Sequence, residues 1–153
     1  MITQHDVKVA SIEWLRNLSV QNNCNYALTI NPNNEKLSLR AIRGRLKKLE
    51  DRILSVCYKS RSKREEFFFI ATFEHSYVDS YHIHLVLRIP DGTDKLFKKH
   101  IKGAIKNLFP QASHKLDLVF DLHGWFSYMT KQQWHDKLYD NYYISATGGK
   151  PKN

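Results

Sequence analysis

Cysteine is scarce in this chain: Cys24 and Cys57 are the two among 153 residues. They do not form a CxxC pair. Neither a disulfide framework nor a cysteine zinc site is suggested, and reduced thiols in a cytosol are the simpler expectation. Acidic residues are also few, 15 against 24 Lys and Arg, which leaves a net charge of +9. That balance favours a polyanionic partner, nucleic acid or an anionic membrane surface, over charge that merely solubilises. No apolar run approaches the roughly 20 residues of a membrane helix. The N-terminus lacks the basic and apolar regions of a secretory signal. Repeats and low-complexity segments are missing, as are the HExxH pair of zinc proteases and a GxxxxGK[ST] phosphate loop. The 42% apolar and 25% charged residues that are present suit one ordinary globular domain with a real core.

Along the chain, residues 1–20 read as an N-terminal helical extension, with Val9, Ile12 and Leu15 on one face of a helix over 6–19. Residues 21–140 read as the main domain, and 141–153 as a tail or linker whose end, "SATGGKPKN", is expected to be mobile. "NYALTINP" (25–32) is a strand stopped by Asn31-Pro32. Leu39, Ile42, Leu46, Leu49 and Ile53 recur every three or four residues, so they form the apolar stripe of a helix with basic outer faces. "DGTDKLFKKHIKGAIKNLFP" (91–110) is a second helix, with Thr93 as N-cap, Pro110 as stop and Leu96, His100 or Ile101, Ala104, Ile105 and Leu108 as its stripe. "HKLDLVFDL" alternates Leu116, Leu118 and Phe120 against Asp117, Val119 and Asp121, a half-buried strand. "GWFSYMTKQQWHDKL" is a third helix. The order strand, helix, strand, strand, helix, strand, helix predicts an α+β fold. Its central antiparallel sheet would have four to five strands in a split βαβ arrangement, with helices on one face.

The informative stretch is "FFFIATFEHSYVDSYHIHLVLRIP", residues 67–90, two strands joined tightly. Side chains alternate faces along a strand. A hairpin symmetric about residue 78 sets Glu74 opposite His82 and Thr72 opposite His84, all on one face. Phe67, Phe69, Ala71 and Phe73 then share the other face with Ile83, Leu85, Leu87 and Ile89. A one-residue slip would turn that apolar set to water, so the parity is secure. Two imidazoles and a carboxylate on one face are a first shell for a divalent metal with open positions. His-x-His alone is a weak signal in a chain with eight His; Glu74 on the same face strengthens it. Thr29 faces the site by parity, and His75 is assigned to the turn.

On the third helix Tyr128 and Lys131 are three apart and share a side. Each alone reads more simply as a packed ring and a solvated charge, and the same holds for Trp125 and Trp134 as core residues. Together, in order, the strand "YALTINP", the E-x7-H-x-H hairpin and Tyr-x-x-Lys resemble the HUH endonuclease superfamily. They are most similar to the single-tyrosine Rep nuclease domains (replication initiators) of rolling-circle plasmids and single-stranded DNA viruses. The resemblance spans roughly residues 25–135.

The resemblance implies that Glu74, His82 and His84 hold Mn²⁺ or Mg²⁺, and that Tyr128 attacks a phosphodiester of single-stranded DNA. The products would be a 5′-phosphotyrosine and a free 3′-OH. A free tyrosine hydroxyl is a poor nucleophile at neutral pH, and Lys131 would either neutralise the phosphate or help Tyr128 lose its proton. Many initiators continue into a helicase domain, so the chain is expected to be either a stand-alone nuclease or an excised domain, with a helicase domain or a host helicase as candidate partner. The site of action would be cytoplasmic, or nuclear for a eukaryotic viral element. Two rival readings stand: a single-tyrosine transposase of a small insertion sequence, and a non-enzymatic nucleic-acid module like an RNA-recognition domain. The Glu before the His pair and the Lys after the Tyr fit initiators better.

Overall fold

The computed structural model describes residues 2–77, 80–130 and 142–146. Its elements run α1 (Gln4–Gln21), β1 (Tyr26–Asn31), α2 (Leu39–Cys57), α3 (Arg61–Glu66), β2 (Phe68–Tyr77), β3 (Ser80–Arg88), α4 (Asp94–Leu108), β4 (Ser113–Leu118), α5 (Leu122–Thr130) and β5 (Tyr142–Ile144). The strands form one antiparallel sheet in the order β4-β1-β3-β2-β5. The first four strands, with α2 and α4 as crossovers, are the expected split βαβ arrangement. Cys24 and Cys57 are both free. Among the described residues no helix is long and apolar enough to cross a membrane.

Local chemistry starts the helices where the sequence allows. Thr3 and Asp6 form a reciprocal capping box at α1, and the Ser38 hydroxyl accepts from the Ala41 amide at α2. Thr93 occupies the N-cap position of α4 but does not cap it. Its hydroxyl instead donates to the Pro90 carbonyl at 2.6 Å and lies 3.0 Å from the Tyr58 hydroxyl. The buried stripe of α4 also begins one residue later than the periodicity suggests. Phe97 is fully buried and Leu96 is exposed, because the larger ring fills the contact with Phe67.

One face of the sheet is the main core. Leu28, Ile30, Phe69, Ala71, Phe73, Ile83, Leu85 and Leu87 meet Ile42, Leu46, Leu49 and Ile53 of α2 and Phe97, Ile101, Ala104 and Ile105 of α4. The second face is not bare. Ile12 and Leu15 of α1 and Phe126 of α5 pack over Phe68, Ile70 and Val86. These three strand residues share the parity of Glu74 and His84. Left uncovered, each would forgo about 1.5–3 kcal/mol of burial, which is the physical reason a second, partial helical layer exists beyond the one expected.

Two further differences from the sequence reading concern the hairpin and the C-terminus. His75 is a strand residue and not part of a turn: it pairs with Tyr81, their ring centroids lie 4.9 Å apart, and the ladder continues to Tyr77 and Ser80. Residues 142–144, expected as tail, belong to the sheet. β5 pairs with β2, and Glu50 of α2, 1% exposed, accepts from the Tyr143 hydroxyl at 2.7 Å and the Ala146 amide at 2.8 Å. A buried carboxylate needs such donors, since an unpaired one would be strongly destabilising. That burial, followed by the hydrogen bond to Glu50, raises the Tyr143 pKa.

The buried Tyr26 hydroxyl donates to Asp94 at the start of α4. Burial first, and then the Asp94 carboxylate, push its pKa from 10.0 up to about 12. The protonated phenol is the form the fold favours. Its contribution to stability is therefore complete below the unfolded value and declines as pH rises from about 10 through about 12. Urea unfolding at pH values across that window should show stability falling, and Tyr26→Phe should flatten the fall.

Candidate functional site

The registers place the polar residues of the second face in a grid. Thr29 pairs with Lys115 on one side and His84 on the other; His84 pairs with Thr72, and Thr72 with Tyr142. This makes one straight row across five strands. Glu74 pairs directly with His82, one step further along the hairpin. The symmetric register expected for the hairpin holds from Phe68 to His75, with an irregularity between His75 and Tyr77.

Over this grid lies a cleft of about 920 Å³ whose floor includes Thr29, Glu74, His82, His84 and Lys115. Its wall comes from the end of β4 and the start of α5, notably Phe120, Asp121, Trp125 and Tyr128. Asp121 caps α5: its carboxylate accepts from the Gly124 amide at 3.0 Å, and its carbonyl from the Trp125 amide at 2.9 Å. Glycine at 124 lets this carboxylate fold close, because a Cβ there would stand 2.3 Å from Asp121 Oδ2. The cap thus sets where α5 begins, and Tyr128 follows almost two turns later.

His84 is 3% exposed and held at both ring nitrogens. Nε2 lies 2.8 Å from Glu74 Oε2 and Nδ1 lies 3.3 Å from Thr29 Oγ1. An ionised carboxylate only accepts, so the tautomer that satisfies both contacts is the one with its proton on Nε2. In the neutral ring Nδ1 then accepts from the Thr29 hydroxyl. The Tyr128 ring stands edge-on to the His84 ring with centroids 6.0 Å apart, and tilts against Trp125 at 5.4 Å. Tyr128 is 51% exposed, so its ring is shared between the wall and the open cleft.

Of the residues singled out in the sequence, the fold brings Glu74, His82, His84, Thr29 and Tyr128 to one cleft. Lys131, together with Gln132 and Trp134, lies outside the described residues. Tyr142 is on the site face, against Trp14, whereas Tyr143 faces the main core and is occupied by Glu50. Trp125 is half-buried and contributes to the wall as well as to the packing around Phe126.

The donor chemistry suits a divalent metal, with Glu74 Oε2 and His84 Nε2 facing each other and His82 paired to Glu74 across the ladder. Among the described residues, however, no three His, Cys, Asp or Glu side chains converge as a ligand set. Closing the set would require His84 Nε2 to be without its proton and the His82 ring to join it and Glu74. Lys115 was not anticipated. Its signal is available once β4 is registered on β1, since position 115 has the parity of Asp117 on the cleft side. No family model, curated protein or solved structure matches the chain.

Because the wall depends on the α5 cap, Asp121→Ala should lower stability by about 1 kcal/mol in urea unfolding. Asp121→Asn should retain most of it.

Proposed function

We propose that this chain nicks and rejoins single-stranded DNA at a specific site, as in the initiation of rolling-circle replication, with Tyr128 as nucleophile. The observation that carries the reading is the placement of Tyr128. A tyrosine marked by the Tyr-x-x-Lys motif stands edge-on to His84, in the same cleft as Glu74 and His82. Nothing in the hairpin's alternation requires a helix after β4 to bring that ring there.

In the proposed reaction the Tyr128 oxygen forms a bond to a backbone phosphorus and the bond to the 3′ oxygen breaks. The phenol proton is released, and the departing oxygen takes up a proton to become a free 3′-OH. The 5′-phosphotyrosine conserves the bond energy, so the reverse attack rejoins strands without a nucleotide cofactor. Glu74, His82 and His84 would hold Mn²⁺ or Mg²⁺, which when bound supplies Lewis-acid polarisation of the scissile phosphate. Imidazole ligands favour Mn²⁺ over the harder Mg²⁺. Thr29 is well chosen for this site because a hydroxyl both donates and accepts. Were His84 to ligate through Nε2, its proton would sit on Nδ1 and the Thr29 hydroxyl would accept from it rather than donate. Lys115 on the floor, and Lys131 by its motif, offer cations for phosphate.

A non-catalytic module of the RNA-recognition type would need aromatic side chains on the open sheet surface. The cleft floor carries Thr29, His82, His84, Glu74 and Lys115 instead, and the cleft's aromatic rings, Phe120, Trp125 and Tyr128, come from the end of β4 and from α5. The net charge of +9 agrees with a nucleic-acid partner.

The decisive assay mixes the protein with a panel of labelled single-stranded DNAs, with Mn²⁺ or with EDTA, and looks for an SDS-stable adduct. The adduct should need metal and vanish in Tyr128→Phe. Its persistence in that variant would move the nucleophile, and no adduct on any substrate despite tight binding would overturn the nuclease reading. In parallel, Thr29→Val should weaken Mn²⁺ binding about tenfold by calorimetry, the low end of outer-shell effects.

A further inference from the structure

The junction between β4 and α5 departs from its own sequence signal. With Asp121 as N-cap, Phe120 is the residue before the cap and Trp125 is the fourth residue of the helix. Apolar residues at these two positions ordinarily pack on each other as a hydrophobic staple. Here they do not close. Phe120 is 94% exposed, the most exposed large apolar side chain among the described residues, although Trp125 stands at the position that would cover it. Both rings line the cleft. The alternation that predicts Phe120 on the buried side of a strand stops at Leu118, where β4 ends. Val119 is still tied by its amide to the Asn25 carbonyl at 2.9 Å, so the backbone leading to Phe120 is anchored.

From Trp125 inward the rings are continuous: Trp125 against Tyr128 at 5.4 Å, Tyr128 against His84 at 6.0 Å. The same cleft is lined by Lys115, whose side chain is 80% exposed and whose ammonium lies 3.7 Å from Asp117 Oδ2. A series of aromatic faces leading out of a phosphate-cleaving centre, with a cation alongside, matches an unpaired nucleotide: a planar base on the rings and its phosphate near the cation.

We infer that the open staple is a base slot, in which Phe120 and Trp125 take between them an unpaired base of the single strand next to the phosphate that Tyr128 attacks. This deepens the proposed function and rests on that reading for the identity of the strand. A planar base replaces the ring-on-ring contact that the staple forgoes. Phe120 is thereby a substrate-positioning residue that acts on binding. The slot accepts any base by its π-face, so it positions the strand while leaving sequence choice to other contacts.

The test uses the full chain in EDTA, so that no cleavage intervenes. The probe is a short oligothymidylate bearing one internal fluorescent adenine analogue whose emission falls on stacking. Titration with the protein should quench the analogue. Phe120→Ala should abolish most of the quench and weaken binding about tenfold, within the range for loss of one stacked base. Phe120→Trp should restore both. Phe120 is exposed, so circular dichroism and melting temperature should be unchanged in either variant. Quench and affinity unaffected by Phe120→Ala would overturn the slot and leave the adduct assay untouched. Loss of affinity that Phe120→Trp does not rescue would overturn it too, as would failure of the protein to bind the oligonucleotide. A Phe120-dependent quench without any Tyr128 adduct would keep the slot and remove the nuclease.

Discussion

The constraint on which this structure depends is the parity of the β2–β3 hairpin. Phe69, Ala71 and Phe73 must pair with Leu87, Leu85 and Ile83 on the side that α2 and α4 cover. Shifting the pairing by one residue would expose all of them, at a cost far above any gain among polar groups. Once they are buried, Thr72, Glu74, His82 and His84 have nowhere to go but the opposite face. The polar site is therefore specified by the apolar residues interleaved with it. The hydrogen bond between His84 and Glu74 arises from that arrangement and contributes only modestly to creating it.

The second face is divided by composition along the same strands. Toward the start of β2 and the end of β3 it carries Phe68, Ile70 and Val86, and α1 and α5 settle there. Toward the hairpin tip it carries Thr72 and His84, which are buried, and Glu74 and His82, which are only partly covered. Partial coverage gives the cleft its wall. A helix seated over the apolar half, starting at the Asp121 cap, overhangs the polar half with Trp125 and Tyr128. Burial of Phe126 thus positions Tyr128: the two are two residues apart, on different sides of one short helix.

Much of the fold was legible because its long elements have clean periods. The stripe of α2, the hairpin register and the split βαβ order all follow from spacing. Less legible was everything decided by which surface an amphipathic element meets. The stripe of Ile12 and Leu15 announces a helix but not that it docks on Phe68 and Ile70. Three residues, Tyr142–Ile144, are too few for a period, so β5 looked like tail. Thr93 looked like a cap because residue type cannot tell that Pro90 and Tyr58 would compete for its hydroxyl. In the site, the sheet residues followed from parity, whereas Lys115 needed the β1–β4 register and Phe120 needed the point at which β4 stops.

The row Lys115–Thr29–His84–Thr72–Tyr142 has one residue from each of five strands, so its integrity requires all four strand pairings to be correct together. Each adjacent step is about 4.8 Å, and a slip anywhere displaces everything beyond it by a residue length and reverses its face. A molecule with one misaligned strand can remain compact and keep most of its helices while having no intact row. An intact row is therefore a stricter criterion of correct assembly than compactness or helical content can apply.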